Sequence, residues 1–166
     1  MIIISFFFAT LILFMILALI MGAPLVPSKF KVAKRMVELL QLKSGQTLFD
    51  LGSGDGRVLI AASKKGQKSV GIEINPYMWM LSSIFIFMTG QQSRVKVYLG
   101  NYWNRDLSQA EGIIVYGLPQ IMNRLSEKLR KELKPGTKIV SNSFQIPALK
   151  LQKQEVVDGT RIYLYR

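Results

Sequence analysis

At 166 residues the chain is long enough for one domain and too short for two of ordinary size, and 49% hydrophobic residues can fill a core. Lysine and arginine number 22 against 10 acids, a net charge of +12 that suits an anionic partner, either nucleic acid or a phospholipid surface. There is no cysteine and no histidine, which excludes disulfides, thiolate zinc sites and all Ser-His-Asp, Cys-His or HExxH chemistry; no metal site is expected, and any reaction must need little proton-transfer help.

Residues 1–28 carry no charged side chain. Ile2 to Met21, "IIISFFFATLILFMILALIM", is interrupted only by Ser5 and Thr10, and twenty residues at about 1.5 Å each match a hydrocarbon core of about 30 Å. Gly22, Pro24 and Pro27 end the run. A cleaved signal peptide would have a charged n-region and a shorter apolar stretch. The sequence therefore predicts a transmembrane anchor over 1–22. Lys29, Lys31, Lys34, Arg35 and Lys43 follow it, so the positive-inside rule predicts a single-pass protein of the cytoplasmic membrane with its C-terminal domain in the cytoplasm. Residues 23–44 contain an amphipathic juxtamembrane helix, with Ser28 as a candidate cap. Phe30, Ala33, Val37 and Leu40 share one face; either the basic face turns to anionic lipid or the helix simply packs on the domain.

Over 45–166 strands and helices alternate. "TLFDL" (47–51) reads as a strand and 56–66 as a helix; 69–74 is a strand and 76–90 a helix opened by Pro76. Strands follow at 94–100 and 112–117, a helix at 119–133, and a strand at 137–144. Gln154–Val157, a turn at Asp158 and Gly159, and Arg161–Tyr165 form a closing hairpin. This pattern argues an open α/β sheet, mainly parallel, with one antiparallel pair at its end. The helix at 76–90 is apolar nearly all round, so it is either buried or faces lipid.

The loop Gly52-Ser53-Gly54-Asp55-Gly56 follows a predicted strand and opens a helix. A dinucleotide fingerprint needs G-x-G-x-x-G, but here the third glycine comes one residue early; a P-loop needs G-K-[ST], which is absent. Asp50 stands two residues before the first glycine, where a carboxylate repels pyrophosphate and attracts ammonium. Glu73 ends the second strand, where an acid accepts hydrogen bonds from a ribose. A ligand with an ammonium, a ribose and no phosphate fits the pair: S-adenosylmethionine.

"FDLGSGDGR" with "VGIEIN" resembles the cofactor motifs of class I S-adenosylmethionine-dependent methyltransferases. From about Val26 onward, "VPSKFKVAKRMVELLQLKSGQTLFDLGSGDGR", "LPQIMNRLSEKLRKELKPGTKIVSNSF" and "GTRIYLYR" are similar to the protein-lysine methyltransferases of the ATP synthase c-subunit and the adenine nucleotide carrier, and to their archaeal relatives. The resemblance implies a Rossmann-like class I methyltransferase sheet, mostly parallel with a C-terminal antiparallel hairpin, here preceded by the predicted transmembrane helix. It implies cofactor contacts at Asp50, Gly52, Ser53, Gly54, Asp55, Gly56, Glu73, Ile74 and Asn101, with Asn101 at the base where relatives often carry an acid. The sequence departs from the family at Leu25, where an aromatic is usual, at Lys29, where a second proline is, and at Leu149, where relatives often place Trp. These lie toward the substrate end.

Methyl transfer from a sulfonium is an in-line displacement in which placement supplies much of the rate, so a chain without histidine can perform it. An aromatic-lined channel favours the neutral amine of a lysine and can hold a methylated cation. Strand-end position marks Tyr116, Pro119 and Phe144 as the channel; no general base can be named. The expected function is methylation of a lysine near the membrane surface, on a membrane-associated protein. Methylation of a lipid, quinone, RNA or DNA, or a non-catalytic membrane adaptor, are the alternatives. Nucleic acid is disfavoured because "VYGLP" stands where amino-methylating DNA enzymes carry [DN]-P-P-[YF].

Overall fold

Short apolar runs punctuated by glycine and proline build the sheet. The computed structural model describes residues 2–20 and 28–166. Strands β1 (Thr47–Leu51), β2 (Lys68–Glu73), β3 (Val95–Leu99), β4 (Gly112–Val115), β5 (Lys138–Asn142), β6 (Leu151–Val157) and β7 (Thr160–Tyr165) form one sheet of order β3-β2-β1-β4-β5-β7-β6. The first five are parallel, and β7 runs antiparallel to both β5 and β6. The expected mixed sheet and closing hairpin are present; β6 begins at Leu151 rather than Gln154. Asp158 and Gly159, at φ 50° and 80°, make its turn, the two left-handed residues that a tight hairpin of the right twist requires.

Successive strand side chains point to opposite faces, and both faces are covered. Leu48, Ile114, Val140 and Ile162 meet α2 (Phe30–Leu40), α3 (Arg57–Ser63) and Ile86 of α4 (Pro76–Met88). Phe49, Leu51, Ile113, Val115 and Ile139 meet α5 (Met122–Glu132) on the other. The guanidinium of Arg35 donates to both oxygens of Glu155, at 2.7 Å each, and so ties α2 to β6.

Two local expectations change, and the open choice at 76–90 is narrowed. Ser28 does not cap α2; Lys29 holds that position without a side-chain bond, and Ser28 is used elsewhere. The buried face of α2 is Val32, Ala33, Met36, Val37, Leu39 and Leu40, while Phe30 is 75% exposed and stacks under Arg57 at 4.5 Å. In α4 only Ser82 and Ile86 are buried; Met80, Ile84, Phe85, Phe87 and Met88 face outward. Trp79 pins this helix to the β3 edge, its Nε1 donating to the Val97 carbonyl at 3.1 Å.

The N-terminal helix corrects the largest expectation. Helix α1 (Ile2–Ile20) has 19 residues, but among the described residues no helix is long and apolar enough to cross a membrane. At about 1.5 Å per residue, a 19-residue helix falls just short of a hydrocarbon core about 30 Å thick. It is also held midway: Thr10 Oγ1 lies 2.6 Å from the Tyr77 hydroxyl, and the Phe7 and Tyr77 rings meet edge-on at 5.1 Å. The predicted span, and with it the single-pass placement in the cytoplasmic membrane, is overturned. The expected helix end at Gly22, Pro24 and Pro27, Leu25 and the boundary between 1–22 and 23–44 lie outside the described residues.

Gly71 of β2 is the tightest point between sheet and helix. A Cβ there would stand 2.5 Å from Leu59 Cδ1 and 2.6 Å from Ser53 Oγ. Gly71→Ala is expected to cost about 1–3 kcal/mol through overpacking, read as a lower urea midpoint with an unchanged m-value.

Candidate active site

The parallel strands bring the sequence-predicted residues to one edge of the sheet, beyond the carboxyl ends of β1 to β5. Strand order reverses between β1 and β4, the position at which open α/β sheets bind ligands. Asp50 pairs in register with Ile114, and Leu51 with Val115, so Tyr116 emerges beside Gly52. Val115 pairs with Ser141, which sets Asn142 and Phe144 on its other side. Asn101 follows the end of β3, where Gly100 N donates to the Glu73 carbonyl at 2.8 Å.

The loop after β1 needs its glycines for backbone reasons. Gly52, Gly54 and Gly56 have φ of 83°, 54° and 80°, all left-handed. A Cβ at Gly52 would meet nothing within 4 Å, so its side is open; at Gly56 it would meet Ser82 Cβ at 3.1 Å, so that glycine also lets α4 approach. Glu73 clamps the loop: Gly54 N donates to Oε2 and Asn75 N to Oε1, each at 2.8 Å. Asn75 then caps α4, its Oδ1 accepting from Tyr77 N at 2.9 Å.

The three acids around the loop, Asp50 at the end of β1, Glu73 at the end of β2 and Asp55 in the loop itself, have different partners. Asp55 accepts from Arg57 Nε at 2.9 and 3.0 Å and from Arg57 Nη2, so its carboxylate is neutralised within the loop and turned from the strand ends. Burial pushes the Glu73 carboxyl above its ordinary range, against the amides of Asn75, Gly54 and Ile74 that pull it down. Asp50 is buried and, among the described residues, its carboxylate accepts no hydrogen bond. Burial first, then the charges of Glu73 and Asp55, hold its carboxyl well above the usual carboxylate range. A buried acceptor without a donor marks where a cation belongs, and the α-ammonium of S-adenosylmethionine has the right charge; the residues fit that group.

Of the other predicted residues, Ser53 Oγ is buried without a partner among the described residues, and Ile74 is half-buried just past β2. Asn101 spends its Oδ1 on Trp103 N at 3.0 Å, leaving its amide nitrogen unengaged among the described residues. Tyr116 and Phe144 are half-buried and Pro119 is exposed at the head of a short 3-10 turn. The Phe144 carbonyl accepts from Ser141 Oγ at 2.6 Å, and Ile146 N donates to the Tyr165 hydroxyl at 2.9 Å, which fixes the loop after β5. The contacts of five residues at this edge were not foreseen. Arg57 donates to the Ser28 carbonyl, and Asn142 Nδ2 donates to Ser28 Oγ at 2.7 Å, so the segment before α2 is strapped across the strand ends. Arg124 stacks on Trp103 at 4.2 Å. "NYW" after a strand and arginine after the third glycine were visible; a contact between residues 28 and 142 has no local signal.

A carboxyl whose folded pKa is raised binds its proton more readily in the fold. Asp50 therefore supports folding at low pH and opposes it as pH rises from about 4 toward neutrality. Asp50→Asn is expected to raise the Tm of the cofactor-free protein at neutral pH by at least about 3 °C, with the gain shrinking toward pH about 4. Scanning calorimetry over pH measures both; a lower Tm at neutral pH would contradict an uncompensated charge.

The ANTKMT methyltransferase domain family matches residues 50–153. The chain is 36% identical to the protein-lysine N-methyltransferase of Saccharolobus islandicus over 148 residues, covering 86% of this chain and 92% of that one. It is 36% identical to the human ATP synthase c-subunit lysine N-methyltransferase over 124 residues, 75% of this chain but 53% of the relative, so it spans about half the length of that protein. Among solved structures, an RNA methyltransferase from Salinibacter ruber in complex with S-adenosyl-L-homocysteine is similar with a TM-score of 0.81 and 33% identity, covering 84% of this chain and 92% of that one. The glycine loop, the open carboxylate and these matches agree: the chain belongs to the ANTKMT methyltransferase domain family, a family of S-adenosylmethionine-dependent methyltransferases.

Proposed function

We propose that the chain is a protein-lysine N-methyltransferase. The observation that carries this reading is its identity to the Saccharolobus islandicus protein-lysine enzyme over 92% of that enzyme's length. S-adenosylmethionine supplies the methyl group on a sulfonium, already a good leaving group. Asp50 receives the amine of that donor, Glu73 receives the ribose hydroxyls on lone pairs its two amide donors leave free, and Asn101 meets the base with its amide nitrogen. Gly52, Ser53, Gly54, Asp55, Gly56 and Ile74 shape the cradle, Asp55 through its pair with Arg57.

The acceptor amine must be neutral to attack, against an ordinary lysine pKa of about 10.4. Tyr116, Pro119 and Phe144 form a channel beside Gly52 that strips water from the ammonium and so favours the neutral form. No residue is assigned as general base; placement and desolvation carry the step. Relatives are named for lysines of the ATP synthase c-subunit and of the adenine nucleotide translocase. A membrane-associated protein acceptor is supported here by the outward apolar side chains of α1 and α4, which flank Tyr77 at the rim of the cradle. RNA is the second reading, favoured by the Salinibacter structure and the net charge of +12.

Labelled S-adenosylmethionine incubated with membrane fractions, lipid extract and total RNA separates the readings. Label in a protein band, stable to RNase and mapping to a methylated lysine, is expected; label in RNA or lipid alone sinks the proposal. Asp50→Ala and Glu73→Ala are expected to weaken S-adenosylhomocysteine binding at least tenfold, about 1.4 kcal/mol, by titration calorimetry. Tyr116→Ala and Phe144→Ala are expected to lower turnover while leaving that affinity within about twofold, because they act on the acceptor.

A further inference from the structure

Beside the cradle, sharing the Asp55–Arg57 pair but lined by neither Asp50 nor Glu73, lies a cavity of about 650 Å3. That volume falls within the usual range for small-molecule sites, about 300–1,000 Å3. Three helices contribute its walls. Phe30 and Ala33 of α2, and Phe85 and Met88 of α4, stand three residues apart on one face of each helix, and Ile60 and Ala61 of α3 lie between them, so the walls are mostly apolar. Phe30 and Met88 are 75% and 74% exposed among the described residues, so the groove is open to solvent there.

Its charges are one-sided. Asp55 is the sole acid lining it, and Arg57 already neutralises it. Lys34, Lys64 and Lys65 line it too, all exposed. Lys65 reaches Glu38 only at 3.6 Å, and Lys34 and Lys64 pair with no carboxylate among the described residues. Arg57 and Phe30 stand at one end of the groove, where α3 begins, and Lys64 and Lys65 at the other, where it ends. A long apolar trough closed at one end by a satisfied ion pair and lined toward the other by exposed lysines, of which Lys34 and Lys64 pair with no carboxylate among the described residues, complements one kind of molecule.

We propose that this groove binds a single-chain anionic amphiphile. Its hydrocarbon chain lies along Ile60 and Ala61, and its carboxylate or phosphate head sits among Lys34, Lys64 and Lys65. The site does not depend on which acceptor the enzyme methylates, because its readout is binding rather than methyl transfer.

The probe is cis-parinaric acid, a fluorescent fatty acid, titrated into the full chain. Saturation at one per chain is expected. The exposed double variant Lys34→Glu/Lys64→Glu is expected to weaken binding at least tenfold, and Ala61→Phe, which fills the trough, to abolish it. Both variants should bind S-adenosylhomocysteine as the parent does, which shows that they fold. Equal binding of the methyl ester, or no effect of the lysine reversal, overturns the anionic head; binding that survives Ala61→Phe overturns the location. Competition tests the chain number: displacement by oleate supports a single-chain amphiphile, and displacement only by phosphatidylcholine vesicles that contain phosphatidylglycerol, a two-chain lipid, overturns it. Displacement by neither, or light scattering that finds a dimer closed to the probe, overturns the proposal.

Discussion

The carboxylate of Glu73 holds two backbone amides at once, Gly54 N on the glycine loop and Asn75 N at the head of α4. Everything around the cradle depends on that clamp. A loop with three left-handed glycines has many conformations to lose, and one charged acceptor satisfying two amides selects among them more firmly than neutral bonds would. The same carboxylate fixes where α4 starts, because Asn75, once held, caps that helix. Gly56 packs on Ser82 of α4, so loop and helix then support each other. From Asp55 the order continues through Arg57 to the Ser28 carbonyl, and from Ser28 Oγ to Asn142 at the end of β5. The mouth is thus framed by a connected set of polar contacts reaching from β2 to β5.

Three acids close together around one loop would repel one another if all were treated alike. They are not. Asp55 is neutralised by a cation from its own loop, and Glu73 is spread over backbone amides. Asp50 has neither, and its neighbours' charges make its ionised form less favourable still. Burying such a group unpaired costs folding free energy, and fold alone gives no reason to keep it. A cationic ligand does: it supplies the missing partner and gains from the low dielectric that makes the bare acid expensive. The site is therefore strained toward binding, and the strain sits in one residue.

The strand alternation, the glycine loop and the acids at 50 and 73 were legible because each is a local signal: period two, left-handed backbone, an acid at a strand end. Burial of α2 was less so. Phe30 fits the apolar face by spacing, yet the helix begins there, and its ring lies out under Arg57. Ser28 has the chemistry of a cap but is drawn to Asn142, 114 residues away. Helix α1 shows the limit most plainly. Apolar composition reports the preference of a surface for leaving water, not what it leaves water for. The hydroxyls of Thr10 and Tyr77, inconspicuous in sequence, meet halfway along that helix and hold it to the rim of the cradle.

The two faces of the sheet divide the work of the site. The glycine loop leads into α3, whose apolar residues join the core shared with α2 and α4. Phe144, Leu149 and Trp103 pack instead against the core shared with α5, on the opposite face. The glycine loop thus continues into one layer, while Phe144 and Leu149 after β5, and Tyr102 and Trp103 beside Asn101, pack into the other. Leu149, where relatives often carry Trp, sits in the second layer, on a loop whose backbone is fixed separately by Ser141 and Tyr165. A change of side chain there is felt in the α5 layer and does not pass through Glu73 or the glycines, so the loop after β5 can vary while the loop after β1 stays as it is.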